Sequence, residues 1–201
     1  GGLIRADETV VCLYGHGRSG GGVDGFSVLH VAEQLHLLLS VQPKFDLGDL
    51  DHEVLNRVLH IALRLAREGR EGKPVGTLFV LGDHETVARY CSQIVMNPFK
   101  GYHDEDRNIL DPSLEETIKE FSSIDGAFVV RADGMILTAG ACLKTDPAYV
   151  DLPSGLGTRH AAGMAITAVS EAVSIVISES TGTVTLFKGG KKVVALEKEP
   201  G

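Results

Sequence analysis

The chain has 201 residues, 43% of them hydrophobic, and a formal net charge of −8. That is enough apolar material for one substantial core. The negative charge argues against a general electrostatic grip on nucleic acid or on an anionic membrane, so any phosphate site has to be built locally. No apolar run approaches the roughly 20 residues that span a bilayer. The three cysteines are widely spaced without a Cys-x-x-Cys pair, a pattern typical of a reducing cytosol, so we expect a cytoplasmic protein.

Residues 1–44 are set apart from the rest of the chain. The run Thr9–Tyr14 (TVVCLY) predicts a short buried strand, and Phe26–Ser40 predicts a largely buried helix. A Pro-containing stretch then interrupts the apolar pattern, which predicts a domain boundary near Val41–Phe45. We expect residues 1–44 to be the tail of a preceding small α/β domain or a linker, and residues 45–201 to be the main domain.

Three segments of the main domain carry helix signals. Apolar periodicity predicts an amphipathic helix from about Leu50 to Arg67. Asp83 is placed to cap a second helix, over 83–93. Ser113 and Glu116 have the spacing of a capping box, which predicts a third helix over 113–124.

Strand patterns dominate the carboxy-terminal half of the main domain. Tight turns separate several of them, one at Asp133-Gly134 and one at the Gly-Gly of KGGKK. The polar stretch 97–112 predicts a long surface loop. Together with the helices, this alternation predicts an α/β fold in which a mixed central β-sheet is flanked by helices. The predicted strands are 75–82, 126–131, 135–143, 174–180, 183–187 and the final VVALE.

A glycine-rich motif comes directly after the first predicted strand. Gly15–Gly20 (GHGRSG) fits the G-x-G-x-x-G pattern of dinucleotide-binding proteins. In that motif a helix begins within the glycines, whereas here residues 21–24 intervene before any helix. A flexible linker is therefore the favoured interpretation. The histidines have no zinc-site spacing.

Two other segments have the residue types of a phosphate site. Asp125 closes a helix-to-strand connection, and the small Gly126 and Ala127 would let a ligand lie against the backbone while the carboxylate holds a divalent metal. Gly157 and Thr158 precede a predicted helix over 159–169, whose free amides would accept anionic oxygens. The alternatives are an ordinary Asp-Gly turn, Thr158 as a simple N-cap, and an arginine at 159 that pairs with a nearby acid.

These motifs resemble a known family. DGA at 125–127, GTRH at 157–160 and ISESTGTVTLFKGGK at 177–191 are similar, in order and spacing, to the diadenylate cyclase (DAC, DisA_N-type) domain, which joins two ATP molecules into the second messenger cyclic di-AMP. The likeness covers roughly residues 45–197. The amino-terminal piece resembles that of the archaeal-type branch, in which a separate small domain precedes the cyclase.

The resemblance implies a DAC/DisA_N-like fold and a metal-dependent nucleotidyltransferase that uses Mn²⁺ or Mg²⁺. Each domain of the family holds one ATP, so catalysis would need a second copy of the chain, face to face. Asp125 and Glu179 would bind the metal. The implied catalytic residues are Asp125, Gly126 and Ala127, and the implied ATP-binding residues are Leu143 (a wall for adenine), Gly157, Thr158, Arg159, His160, Ser178 and Glu179.

One position departs from the family pattern. The usual third basic residue, two positions after Arg159, is here Ala161. Its loss removes a phosphate contact and favours, as an alternative, a non-catalytic adenine-nucleotide sensor. A dinucleotide-dependent oxidoreductase built on Gly15–Gly20 ranks last.

Overall fold

The computed structural model describes residues 9–14, 25–30, 46–145 and 157–197. The chain divides into two compact units, Gly1–Phe45 and Asp46–Gly201. In the first unit, strands β1 (Thr9–Tyr14) and β2 (Gly25–His30) pair antiparallel along their full length.

Strand β2 corrects one prediction. The helix expected over Phe26–Ser40 is wrong for Phe26–His30, which form the strand. A short apolar run fits a strand as well as a helix, and pairing with β1 satisfies the backbone groups that the two segments turn toward each other. The remainder of that predicted helix, the motif at 15–20 and the boundary at 41–45 lie outside the described residues.

The second unit is built on a seven-stranded sheet in the order β4-β6-β5-β3-β7-β8-β9. Neighbouring β3 and β5 are parallel and every other pair is antiparallel, so the predicted mixed sheet is confirmed. Central strands β3, β5 and β7 are buried along their whole length, which requires cover on both faces. The bounds are β3 Thr77–Leu81, β4 Cys91–Gln93, β5 Ala127–Val130, β6 Ile136–Leu143, β7 Val173–Ile177, β8 Val184–Lys188 and β9 Lys191–Leu196.

Helices α1 and α4 supply much of this cover. Both contact β7 and β8, but the buried cluster around α4 includes no residue of α1, so we place the two helices on opposite faces of the sheet. Gly163 brings α4 close to the sheet: its carbonyl accepts a hydrogen bond from Ser174 Oγ at 2.8 Å. On the other face Phe79 stacks on Phe128 with ring centroids 4.9 Å apart. The helix bounds are α1 His52–Glu68, α2 His84–Arg89, α3 Glu115–Phe121 and α4 Thr158–Ala168.

Three element boundaries differ from the predictions. The helix expected over 83–93 ends at Arg89, and Cys91–Gln93 instead pair with β6. The strand expected over 174–180 ends at Ile177. Within the loop predicted at 97–112, residues 105–107 form a 3₁₀ turn.

The predicted capping box is also wrong. Asp111 accepts the amide of Ser113 at 2.8 Å and caps a 3₁₀ turn over Pro112–Leu114, and α3 begins only at Glu115. An aspartate one residue before a proline suits this cap because proline is favoured at the first helical position.

Gly126, just before β5, lies against the neighbouring strand. Its φ is +111°, and a β-carbon there would lie 2.6 Å from the carbonyl carbon of Gly140 and 2.8 Å from the nitrogen of Ala141. These are backbone atoms, which cannot move aside cheaply. The glycine therefore sets the path of the chain directly after Asp125.

We expect Gly126→Ala to destabilise the second unit. A positive φ alone costs an L-residue about 1–2 kcal/mol, and at 126 the backbone overlap adds to that cost. Gly101 is the matched control because its φ is +96° but a β-carbon there would meet nothing within 4 Å. Urea unfolding should show a larger loss of unfolding free energy for Gly126→Ala than for Gly101→Ala, and equal losses would contradict the close approach.

Candidate functional site

The ends of four strands meet at one edge of the sheet. Because β3 and β5 are parallel, the residues just before them, Gly76 and Asp125, lie at the same edge. Strand β6 runs antiparallel to β5, and strand β7 runs antiparallel to β3. Leu143 at the carboxyl end of β6 and Ser178 just after β7 therefore lie at the same edge. The topology thus gathers segments that are far apart in sequence.

Arg159 joins two carboxylates at this edge. Its Nη2 lies 3.1 Å from Asp125 Oδ1, and its Nη1 lies 3.4 Å from Glu179 Oε2. The alternative that Arg159 pairs with a nearby acid is therefore confirmed, with two acids instead of one. The side chains of Asp125 and Glu179 are 88% and 63% exposed, and that of Arg159 is 29% exposed. Such exposed pairs contribute little stability, so a charged ligand can replace them.

Gly76 is a site residue that the sequence reasoning missed. A β-carbon at this position would lie 2.9 Å from Glu179 Cβ and 3.0 Å from Arg159 Nη1. The glycine therefore makes room for the arginine and the glutamate to meet. Gly76 is a single glycine before an apolar strand and belongs to no motif, so nothing in the sequence marks it as a site residue.

The amino terminus of α4 faces the same region. Gly157 is its N-cap and Thr158 its first helical residue, so the alternative of Thr158 as an ordinary N-cap is wrong. A glycine offers no side chain to bond the first free amides of the helix. Both His160 N and Ala161 N donate to Gly157 O. This end of the helix has the polarity and the amides to accept an anion.

A groove of about 760 Å³ extends from this helix end along the sheet. Its walls come from the first half of α4, from β8 and β9, and from the turn between β7 and β8. Met164 and Phe187 give it an apolar floor, and Lys192 lies on the β9 side. Asp125 and Leu143 do not line it. Six hydroxyl side chains do: Thr158, Ser178, Ser180, Thr181, Thr183 and Thr185.

His160 lines the groove as a neutral imidazole. The residue is only 8% exposed, and its ring lies 6.2 Å from that of Phe187 in an edge-on arrangement. Burial lowers the pKa of the imidazole below its ordinary value. At neutral pH the ring therefore offers one donor and one acceptor rather than a positive charge.

Three further residues lie at or beside the site. Ala127 is only 1% exposed and lies between its strand partners Leu78 and Ala141, so it belongs to the buried sheet beneath the site. Leu143 is half-buried, packs against the core and pairs with Cys91. Burial, with a smaller contribution from Cys142, raises the pKa of the Cys91 thiol to about 11. That thiol is therefore protonated at neutral pH and forms part of an apolar wall.

Two kinds of feature are absent from the described residues. No helix in the described ranges is long and apolar enough to cross a membrane. Within the same ranges, no three His, Cys, Asp or Glu side chains are grouped so that they could hold a metal ion.

Comparison with known proteins identifies the family. Residues 64–192 match the family model DAC, described as DisA bacterial checkpoint controller nucleotide-binding. The chain is 33% identical over 198 residues to a diadenylate cyclase of Methanocaldococcus jannaschii, covering 98% of this chain and 62% of that protein. It is 36% identical over 197 residues to a diadenylate cyclase of Haloferax volcanii, covering 98% and 71%. The chain belongs to the DAC family.

The resemblance found in the sequence is thereby confirmed, and both of these relatives are archaeal. The chain spans less than two thirds of the M. jannaschii protein. A solved structure titled as a hypothetical membrane spanning protein from Bacillus cereus has the same fold, with a TM-score of 0.50 and 20% identity over 85% of this chain and 72% of that one.

Acid should destabilise the fold through His160. Because its folded pKa is lowered, the unfolded chain binds the proton more readily, so stability is lost as the pH falls below about 6.5. Above that pH the imidazole is neutral in both states and contributes no pH dependence.

His160→Gln should remove this component, so the difference in unfolding free energy between wild type and variant should fall between pH 7.5 and pH 5. A constant difference for His160→Gln would show that burial does not disfavour the charged imidazole. Urea titrations at a series of pH values measure this difference.

Proposed function

We propose that the chain is a diadenylate cyclase, which condenses two ATP molecules into cyclic di-AMP and two pyrophosphates. The observation that carries the proposal is the meeting of Asp125, Arg159 and the amino terminus of α4 at one sheet edge. A carboxylate, a guanidinium and free helix amides are the groups that a nucleotidyl transfer needs. The names of the two archaeal relatives support the same activity.

The triphosphate would lie across the first turn of α4. Thr158 and the helix amides donate to phosphate oxygens there, and Ser178 adds a hydroxyl from the facing turn. Arg159 has five N–H donors, so its guanidinium can take up phosphate oxygens while it turns away from its carboxylate partners. His160 contributes a neutral imidazole. We propose Leu143 and the backbone at Gly126 as the surface on which the nucleoside rests, with the buried Ala127 supporting it from within the sheet.

Asp125 would act at the ribose. In each half-reaction a 3′-oxygen of one ATP forms a bond to the α-phosphorus of the other, the bond from that phosphorus to pyrophosphate breaks, and the 3′-hydroxyl loses its proton. A carboxylate that is 88% exposed can reach a hydroxyl on a second molecule. We propose that Asp125 orients this hydroxyl and receives its proton. Positioning is the larger contribution, because the reaction has little other covalent chemistry for the protein to perform.

The residues present fit a divalent cation that is bound partly by substrate. Asp125 and Glu179 flank the same guanidinium, and Mg²⁺ is commonly held by one or two carboxylates together with phosphate oxygens. We propose that these two residues hold Mn²⁺ or Mg²⁺ once the nucleotide is bound. The ion would neutralise phosphate charge and polarise the α-phosphate.

The partner in the reaction would be a second copy of the chain. An exposed apolar run, Ile94–Met96, lies beside Asp125: Ile94 N donates to Gly140 O at 3.0 Å, and a β-carbon on Gly140 would lie 2.7 Å from Val95 and 3.7 Å from Asp125 O. Met96 is 94% exposed. Because the proposed chemistry requires two sites to face each other, we propose that this run contacts the same run of the second copy.

The compartment of the reaction is also a proposal. Of the cysteines whose side chains are described, Cys91 and Cys142 are both free thiols. Free thiols suit the reducing, ATP-containing cytoplasm.

Asp125→Asn should abolish formation of cyclic di-AMP while leaving the fold intact. The amide keeps the shape of the side chain but can neither take the proton nor hold the cation, so we expect a loss of at least about 100-fold. The assay is incubation with ATP and Mn²⁺, followed by chromatographic identification of the product and measurement of pyrophosphate.

Asp133→Asn is the control, because Asp133 lies in the turn at the other end of β5, where it pairs with Arg131. Its activity should match the wild type. If the wild type binds ATP tightly and releases no pyrophosphate, the chain is the adenine-nucleotide sensor that Ala161 favours, and the cyclase proposal is wrong.

Met96→Glu should slow the reaction without weakening ATP binding. Two facing glutamates would repel each other and oppose the approach of the second copy. Activity per molecule should therefore need a higher protein concentration to reach the wild-type value, and sedimentation should show weaker association. His60→Glu, which places the same charge at an exposed position on α1, is the control. Wild-type activity for Met96→Glu at every protein concentration would exclude this surface.

A further inference from the structure

One positively charged side chain that lines the groove beside α4 has no role in the site as proposed so far. Arg159 lies at one end, where two carboxylates already neutralise it. Lys192 lines the same groove from β9. We propose that Lys192 binds the terminal phosphates of the nucleotide, across the groove from the first turn of α4. This inference rests on the proposed function and extends its site to a residue of β9 just beyond the family motif at 177–191.

The sheet register places Lys192 on the α4 face. Ser174 on β7 bonds to the carbonyl of Gly163 on α4, so its side chain lies on that face. Phe187 pairs with Ser174, and Lys192 pairs with Phe187. Residues directly opposite each other on paired strands point to the same side of a sheet. The row of three residues thus begins beneath α4 and ends at Lys192, at the open side of the groove.

Phe187 connects this row to the helix end. Its ring lies 6.2 Å from the ring of His160, in the first turn of α4. Neighbouring strands are roughly 4.8 Å apart, so Lys192 starts only one strand beyond that ring. A lysine stem can pack along the apolar ring while its ammonium group reaches into water or toward an anion.

The charges in the groove favour an anion at this place. Its lining has three charged side chains: Arg159, Glu179 and Lys192. The first two pair with each other. None of the ion pairs found among the described residues involves Lys192, and the side chain is exposed. It is therefore the lining cation whose charge the described residues leave uncompensated.

The position of Lys192 also compensates for the basic residue of the family pattern that Ala161 replaces. The resemblance leads one to expect a third basic residue in the first turn of the helix, and the chain has alanine there. Lys192 approaches the groove from the facing strand. A positive charge from β9 can serve the same phosphate chain from the opposite wall.

Lys191 is a matched control on the same hairpin. It carries the same side chain and is also exposed, but it does not line the groove. Successive residues of a strand point to opposite faces, so Lys191 points away from α4. Its partner across the hairpin is Lys188, whose ammonium group bonds to Glu171 instead.

The test measures binding without turnover. The probes are 3′-deoxy-ATP and 3′-deoxy-AMP, which lack the attacking hydroxyl, each titrated calorimetrically into the full chain with Mg²⁺. Lys192→Met keeps the apolar stem but removes the charge. We expect it to weaken binding of the triphosphate about 10-fold, the effect of one charge-assisted contact, and to leave binding of the monophosphate unchanged. Lys192→Arg should bind both probes as the wild type does, and so should Lys191→Met.

Two results would overturn the inference. In one, Lys192→Met and Lys191→Met bind the triphosphate equally well; in the other, Lys192→Met loses the triphosphate and the monophosphate to the same extent, which is the mark of a structural role. Failure of the proposed function is separable. A wild-type chain that binds 3′-deoxy-ATP but makes no product from ATP fails as a cyclase, while the binding comparison still decides the role of Lys192.

Discussion

The guanidinium of Arg159, held between Asp125 and Glu179, is the interaction on which the candidate site depends. It joins the start of β5, the turn after β7 and the first turn of α4. Pairs as exposed as these contribute at most about 1 kcal/mol each, so they do not hold the fold together. Their consequence is positional: three charged groups from three elements are kept close together, where the proposed phosphate ligand could replace their present partners.

The sheet topology explains why the motifs could be found in the sequence while their convergence could not. Arg159 is 34 residues from Asp125 and 20 residues from Glu179 along the chain. Each motif is a short run of consecutive residues that can be recognised in the sequence, and the resemblance to the diadenylate cyclase family supplied their order. That they share an edge comes from the parallel pairing of β3 with β5 and the antiparallel return of β7, which no local pattern encodes. Gly76 became visible only through that geometry.

The secondary-structure errors share a physical cause. Phe26–His30 and Cys91–Gln93 both fall within predicted helices, yet both are short strands that pair with another segment. Such segments are too short for periodicity to separate strand from helix, so the pairing partner decides. The error at Ser113 has another cause. Asp111 and Ser113 can both serve as an N-cap, and Pro112 between them favours Asp111. Long amphipathic segments such as α1 are predicted well because their periodicity covers several turns.

If the chain binds ATP as proposed, an acidic protein takes up a polyanion, and local groups have to offset the repulsion between them. The net charge of −8 repels a triphosphate at long range, and the two carboxylates at the site add to that repulsion. The described residues oppose it with the amide end of α4, with Arg159 and, as proposed for the groove, with Lys192. Because Arg159 is already neutralised by Asp125 and Glu179, the proposed binding of a triphosphate depends on releasing its guanidinium from these carboxylates. That release frees two carboxylates at the moment phosphate oxygens arrive, which is the donor set a divalent cation prefers. Nucleotide and cation are therefore expected to bind together, each removing the charge that opposes the other.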